Sequence, residues 1–138
     1  MKTLSYFPDY CSQNSKPVLE AFLESAKKHY KIVENDLNAD IAVIWSCLWA
    51  GRMRGNYDVY QHFKNLNKPC LILEVGALQR NVTWKVALNH ITNQGIYGHT
   101  LNLDWDRPKK LGLPELAPQR RHYAKEPILI CLQHEKSE

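Results

Sequence analysis

Two apolar runs, at residues 41–45 and 70–75, constrain the fold of this chain more than any other feature. The first run is continuous, and both are rich in the branched aliphatic residues that strands favour. A strand that is apolar on both faces is typical of a parallel sheet covered by helices. The two runs therefore predict an α/β protein in which buried parallel strands form the centre.

Weaker patterns supply the other predicted elements. Strands are predicted at residues 2–7, 31–34, 41–45, 70–75 and 127–132. Residues 82–88 are predicted to form a strand or an extended arm. Pro17 suits the first turn of a helix that Ser12 or Asn14 can cap, and its apolar residues recur at helical spacing up to Ala26. A second amphipathic helix is predicted at residues 58–66. This order indicates an open, mostly parallel α/β sheet with flanking helices.

Length and charge favour one domain without a membrane segment. The chain has 138 residues and a net charge of +4, which is compatible with phosphorylated ligands or nucleic acid but requires neither. No apolar run reaches the ~18 residues of a membrane helix, and the N-terminus lacks the apolar core of a signal peptide. We therefore expect a cytoplasmic domain. Residues 106–126 are expected to form an irregular, exposed, Pro-rich basic connection. Its basic residues either form a solvated surface or contact phosphates of DNA or RNA or an acidic partner.

Cysteine and histidine spacing predicts neither disulfides nor a protein-built metal site. The cysteines are Cys11, Cys47, Cys70 and Cys131, without a C-x-x-C pair, as expected of reduced thiols in the cytosol. No histidine pair has the H-x-x-x-H or H-E-x-x-H spacing. No permanently bound cofactor is expected. The carboxylates of residues 104–106 leave two interpretations open. They bind a divalent ion together with a nucleotide phosphate, or they only solvate a turn.

Charged residues follow the strand predicted at residues 70–75. Glu74 and Arg80 flank Gly76, and ligands of open α/β sheets bind beyond the carboxyl ends of the strands. Glu74 can act as a general base toward a hydroxyl or bind a sugar hydroxyl, and Arg80 can bind a phosphate by paired hydrogen bonds. The structural alternative is an ion pair of Glu74 with Arg80 or Arg52, or a cap on the next helix.

A small basic segment follows the other buried strand. Residues 51–56 contain Arg52, Arg54 and Asn56 between glycines that allow backbone N–H groups to approach an anion. The spacing matches neither a Walker loop nor a G-x-G-x-x-G fingerprint. We predict an anion- or sugar-binding loop, with a solvated loop as the alternative.

The tryptophans divide between core and ligand roles. Trp45 lies in the apolar run and is expected in the core, because it buries a large area. Trp49 follows in a polar loop, and it is the best candidate to stack on a sugar or base.

Several of these segments together resemble a known family. Residues 39–46, 51–54 and 68–76, with Arg80, are similar in order and type to the N-terminal half of glycosyltransferase-like proteins from bacteriophages and bacterial surface-polysaccharide clusters. Capsule polysaccharide transferases have a similar two-domain plan. Residues 128–137 resemble the family strand that leads into the second domain. Gln133 and Ser137 match the family's positions, whereas Leu132 replaces the expected glycine.

The resemblance implies a Rossmann-like half of a two-domain transferase. Such a protein moves a sugar from a nucleotide-sugar donor to a hydroxyl of a polysaccharide or of modified phage DNA. It also implies that the donor site lies largely in a second half beyond Glu138. The chain is then a piece of a longer protein, or another chain or a homo-oligomer completes the site, or activity is lost and a binding or assembly module remains. Fold alone does not choose among these possibilities.

Overall fold

A computed structural model describes residues 1–76, 81–98 and 106–113 of the chain. Within them, a five-stranded sheet has the order β2-β1-β3-β4-β5. Its strands are β1 (Thr3–Tyr6), β2 (Lys31–Glu34), β3 (Ile41–Trp45), β4 (Cys70–Val75) and β5 (Trp84–Leu88). The strands β1 to β4 are parallel to one another, and the edge strand β5 runs antiparallel to β4. The expectation of a mostly parallel α/β sheet is confirmed, while the strand predicted at 127–132 lies outside the described residues.

The strand registers bring three strand ends to one edge of the sheet. Tyr6 of β1 pairs with Val43 of β3, and Trp45 of β3 pairs with Leu73 of β4. Because these strands are parallel, the segments that follow them leave from the same carboxyl edge. The side-by-side arrangement of the strands ending near Trp45 and Val75 is as predicted.

Helices cover both faces of the sheet. The helix α1 (Lys16–Ala26) packs Leu19 and Leu23 against one face, together with Leu4, Val43 and Leu73 of the strands. The helix α2 (Arg54–Asn65) packs Val59 and Phe63 against the other face. Successive strand side chains point to opposite faces, so a strand that is apolar throughout contributes to both cores. Ala42, Val43 and Ile44 are accordingly fully buried.

The start of α2 differs from the prediction. A 3-10 turn at Gly51–Met53 leads directly into α2, so Arg54 and Asn56 belong to the helix and not to a flexible loop. Glycine and asparagine have low helix propensity, which placed the predicted start at Asp58. Tertiary hydrogen bonds of Asn56 stabilise the earlier start. In α1, Ser15 occupies the N-cap position, and no side chain caps the helix.

Two further segments depart from their sequence patterns. In β5, Ala87 is buried, whereas Trp84 and Val86 of the alternating apolar set are 40% and 45% exposed.

The chain's contacts also define a second unit, Leu101–Glu138. Its described part contains a short helix, α3 (Asp106–Lys110), in the segment expected to be irregular. Proline is tolerated in a first helical turn, which explains Pro108 there.

Among the helices in the described ranges, none is long and apolar enough to cross a membrane.

Candidate functional site

The chain reverses its direction of winding between β1 and β3. From β1 it passes through α1 to β2 on one side, and then it returns to β3 on the other side of β1. The segments that follow β1 and β3 consequently lead to helices on opposite faces, the arrangement that opens a crevice between adjacent strand ends in α/β sheets. Open α/β sheets bind ligands at such a switch point.

The segment after β1 presents an aromatic side chain at this crevice. Pro8–Tyr10 forms a 3-10 turn, and Tyr10 is 40% exposed. Asp9 Oδ2 accepts a hydrogen bond of 3.1 Å from Asn35 Nδ2, which ties the turn to the end of β2. Tyr10 is therefore presented by a turn that is anchored on the sheet.

The segment after β3 presents a second aromatic side chain and a cation. Ser46 takes a positive φ of 59°, and its N–H donates to the Leu73 carbonyl at 2.7 Å. Beyond this bend, Trp49 is 47% exposed, whereas Trp45 is buried as expected. Arg52 is exposed and makes no ion pair within the described part of the chain.

Asn56 connects both segments to the first turn of α2. Its Nδ2 donates to the Trp45 carbonyl and, at 3.3 Å, to the Tyr10 carbonyl. The side chain is fully buried, and its Oδ1 has no hydrogen-bond partner in the described residues. The neighbouring Gly55 lies so close to the Tyr10 ring that a Cβ there would overlap it. Asn56 thus positions the two loops, and only its Oδ1 remains to accept a hydrogen bond.

Arg54 lies on α2 beside its own partner. Its Nε is 3.3 Å from Asp58 Oδ1, an exposed ion pair between successive turns. Such a pair contributes only about 0.3–0.5 kcal/mol, so it leaves the guanidinium available to an anion.

Glu74 lies near the end of β4, on the same face as Ile72 and α2. Its Oε1 accepts a hydrogen bond of 2.8 Å from the N–H of Val75. The alternative ion pair with Arg52 is not formed in the described structure. Lys85, opposite Glu74 in β5, instead donates to the Ile91 carbonyl at 2.9 Å. Oε2 therefore has no partner among the described residues.

The described thiols are not activated, whether at this edge or, for Cys70, at the start of β4. Burial raises the pKa of Cys11, and it raises the pKa of Cys47 to about 11. Cys70 is almost completely buried, which also raises its pKa. All three are free thiols. Since the thiolate is the nucleophilic form, the described cysteines are unsuited to nucleophilic catalysis near neutral pH.

Other predicted residues lie outside the described ranges: Arg80, Asp104, Gln133, Ser137 and Cys131. Inside those ranges, no three His, Cys, Asp or Glu side chains are grouped to hold a metal ion.

Comparisons with protein-family models, with curated proteins and with solved structures found no match. The geometry of the carboxyl edge therefore carries the functional argument. Tyr10 at this edge was not predicted as a ligand contact. Its position just after a predicted strand could have identified it, because the same criterion selected Trp49.

Proposed function

We propose that the chain is a Rossmann-like, glycosyltransferase-like domain that binds a sugar or nucleotide-sugar ligand at the carboxyl edge of its sheet. The observation that supports this best is the exposure of Tyr10 and Trp49, 40% and 47%, on the two segments that flank the switch point. Aromatic side chains that remain exposed beside strand ends can stack on sugars and bases. Arg52 adds a cation for a donor phosphate.

Glu74 is the proposed general base of sugar transfer. The acceptor hydroxyl gives its proton to the carboxylate while its oxygen attacks the anomeric carbon. The bond from that carbon to the phosphate oxygen breaks, and the nucleotide leaves with the electron pair. Oε2, which has no partner among the described residues, supplies the accepting oxygen, and the hydrogen bond from Val75 to Oε1 orients the group. Positioning of both substrates supplies much of the rate.

Arg54, Arg80, Gln133 and Ser137 complete the proposed ligand contacts. The acceptor is a polysaccharide or modified phage DNA, and a second domain, another chain or a second copy completes the donor site.

A non-catalytic binding module is the second candidate. It is favoured by the make-up of the described edge, where Tyr10, Trp49 and Arg52 are suited to binding a ligand and need no chemical step. In this case the crevice retains its ligand, and no bond is broken.

Ligand binding tests the proposal shared by both candidates. A panel of nucleotide sugars, with the free nucleotides and sugars, is screened by thermal shift, because a ligand of the native state raises the melting temperature. Trp49→Ala is expected to abolish the shift. Leu66→Ala is the matched control, since Leu66 is 50% exposed at the opposite end of the sheet, where α2 ends. A shift with no compound, or one unaffected by Trp49→Ala, contradicts the proposed site.

A further inference from the structure

A cavity of about 290 Å³ opens at the other end of the parallel strands. Cys70 is the first residue of β4, and Asn89 follows the last residue of the antiparallel β5, so both mark the amino edge of the sheet. The lining consists of Tyr60, Lys64, Asn67, Lys68, Cys70 and Asn89. The proposed sugar site uses none of these residues.

Tyr60 provides a rigid aromatic wall of the cavity. The residue is only 4% exposed, and its ring packs edge-to-face on His90 with 5.9 Å between ring centroids. A phenol hydroxyl both donates and accepts hydrogen bonds. Tyr60 can therefore offer a ligand in the cavity an apolar ring and a hydrogen-bond donor.

Two lysines make the cavity electropositive. Lys64 is exposed, its Nζ lies 5.6 Å from the centre of the Tyr60 ring, and it has no carboxylate partner in the described residues. Lys68 Nζ donates to the carbonyls of Asn38 and Ala39, both at 2.8 Å, which holds the ammonium group in place. Its third N–H has no partner among the described residues. No acidic residue lines the cavity. Asp40, which lies outside this lining, interacts electrostatically with Lys68. An anion in the cavity is therefore attracted mainly by Lys64.

The two asparagines add further donors on fixed turns. Asn67 and Asn89 have positive φ values of 53° and 67°, a backbone conformation that asparagine adopts more readily than most residues. Asn89 Oδ1 accepts a hydrogen bond of 3.0 Å from the Cys70 N–H. Its oxygen is thereby used, whereas its NH₂ group makes no hydrogen bond to another residue in the described ranges. The groups left around the cavity are therefore mainly donors.

We propose that this cavity binds the phosphate group of a small phosphate monoester, with Lys64, Lys68 and Tyr60 as its principal partners. Phosphate presents three acceptor oxygens, which match donors arriving from several directions, whereas a carboxylate presents two. The volume exceeds that of phosphate alone and leaves room for a small organic substituent against the Tyr60 ring. This inference is independent of the proposed sugar site, which lies at the opposite edge.

Nuclear magnetic resonance titration of the full chain tests the inference, with inorganic phosphate and phenyl phosphate as probes. Saturable shifts are expected at the backbone amides of Tyr60, Lys64 and Asn89, with phenyl phosphate binding more tightly. Lys64→Gln is expected to weaken binding about tenfold, as loss of a charge-assisted hydrogen bond does. Lys64→Arg is expected to retain binding. Lys28→Gln, at another exposed lysine, is expected to have no effect.

Each contrary result overturns the proposal. These are the absence of saturable shifts at millimolar phenyl phosphate, shifts confined to the carboxyl-edge loops, and equal binding by wild type and Lys64→Gln. Benzoate binding as tightly as phenyl phosphate contradicts the phosphate assignment. Tyr60→Phe, which preserves the ring, is a second variant that is expected to weaken binding several-fold. Dispersed spectra of each variant show that its fold is intact.

Discussion

Asn56 shows how one buried polar side chain can organise the carboxyl edge of a sheet. Its Nδ2 satisfies the Trp45 and Tyr10 carbonyls, which belong to segments far apart in sequence. Removing such a side chain leaves buried acceptors unpaired, at a cost of about 1–3 kcal/mol. The sequence pattern identified Asn56 as a ligand contact because of its place after a basic turn. Its burial depends on distant segments, which no local pattern reports.

Glu74→Gln is expected to abolish turnover while leaving the fold and ligand binding intact. The amide preserves the size of the side chain but cannot take the acceptor proton, so a loss of roughly a hundred- to ten-thousandfold is expected. The measurement is nucleotide release from the donor found in the thermal-shift panel, using the chain with whatever domain completes it. Glu20→Gln on the exposed face of α1 is the control. Undiminished turnover eliminates Glu74 as the base.

Stability is expected to fall as the pH rises from 9 to about 11, partly through Cys47. Burial raises the pKa of this thiol from 9.0 to about 11, so the folded chain retains the thiol proton at a pH where the unfolded chain has lost it. The contribution of the Cys47 thiol to stability is therefore complete below pH 9, and it is lost as the pH rises through the pKa of the folded chain.

Melting temperatures measured across this range check the prediction. The Cys47→Ala variant is expected to show a shallower decline than the wild type. Both proteins share the other groups that titrate there, such as Tyr6, whose pKa is raised by its hydrogen bond to Glu34. Parallel pH profiles for the two proteins would show that Cys47 makes no such contribution.

Contacts between elements determined where α2 begins. The helix prediction from periodicity was correct for its apolar face, since Val59 and Phe63 are buried. Its first turn was missed because Gly55 and Asn56 disfavour helix locally. The close approach of the Tyr10 ring explains why glycine is suitable at position 55.

A double-mutant cycle between Gly55 and Tyr10 tests this packing. In the Tyr10→Ala background, Gly55→Ala is expected to stabilise the protein by up to about 1 kcal/mol, because alanine is the better helix former. In the wild type the added methyl group overlaps the Tyr10 ring, so the same change is expected to destabilise. Urea denaturation of the four proteins gives the interaction energy, expected to be about 1–2 kcal/mol. Additive effects would contradict the contact.

The whole sheet is expected to be most stable at its centre. Ala42, Val43 and Ile44 of β3 are fully buried between both helical layers, whereas β5 exposes Trp84 and Val86. Local opening requires less apolar surface to be uncovered in β5, so its amides should exchange faster. Amide hydrogen exchange is expected to give the slowest rates in β3 and β4. Protection in β5 equal to that in β3 would contradict this order.

Local sequence patterns were sufficient to predict β1 to β4 and most of both long helices, because hydrophobic periodicity shows which face of a segment is buried. The parallel sheet followed, because strands such as Ile41–Trp45 that are apolar on both faces need cover on both sides. Strand order and register had to come from three dimensions. They bring Tyr10 close to the segment carrying Trp49, bury Asn56, and place Lys64, Lys68 and Asn89 around one cavity. Such contacts join positions distant in the chain, and their free energy exists only once the sheet has formed.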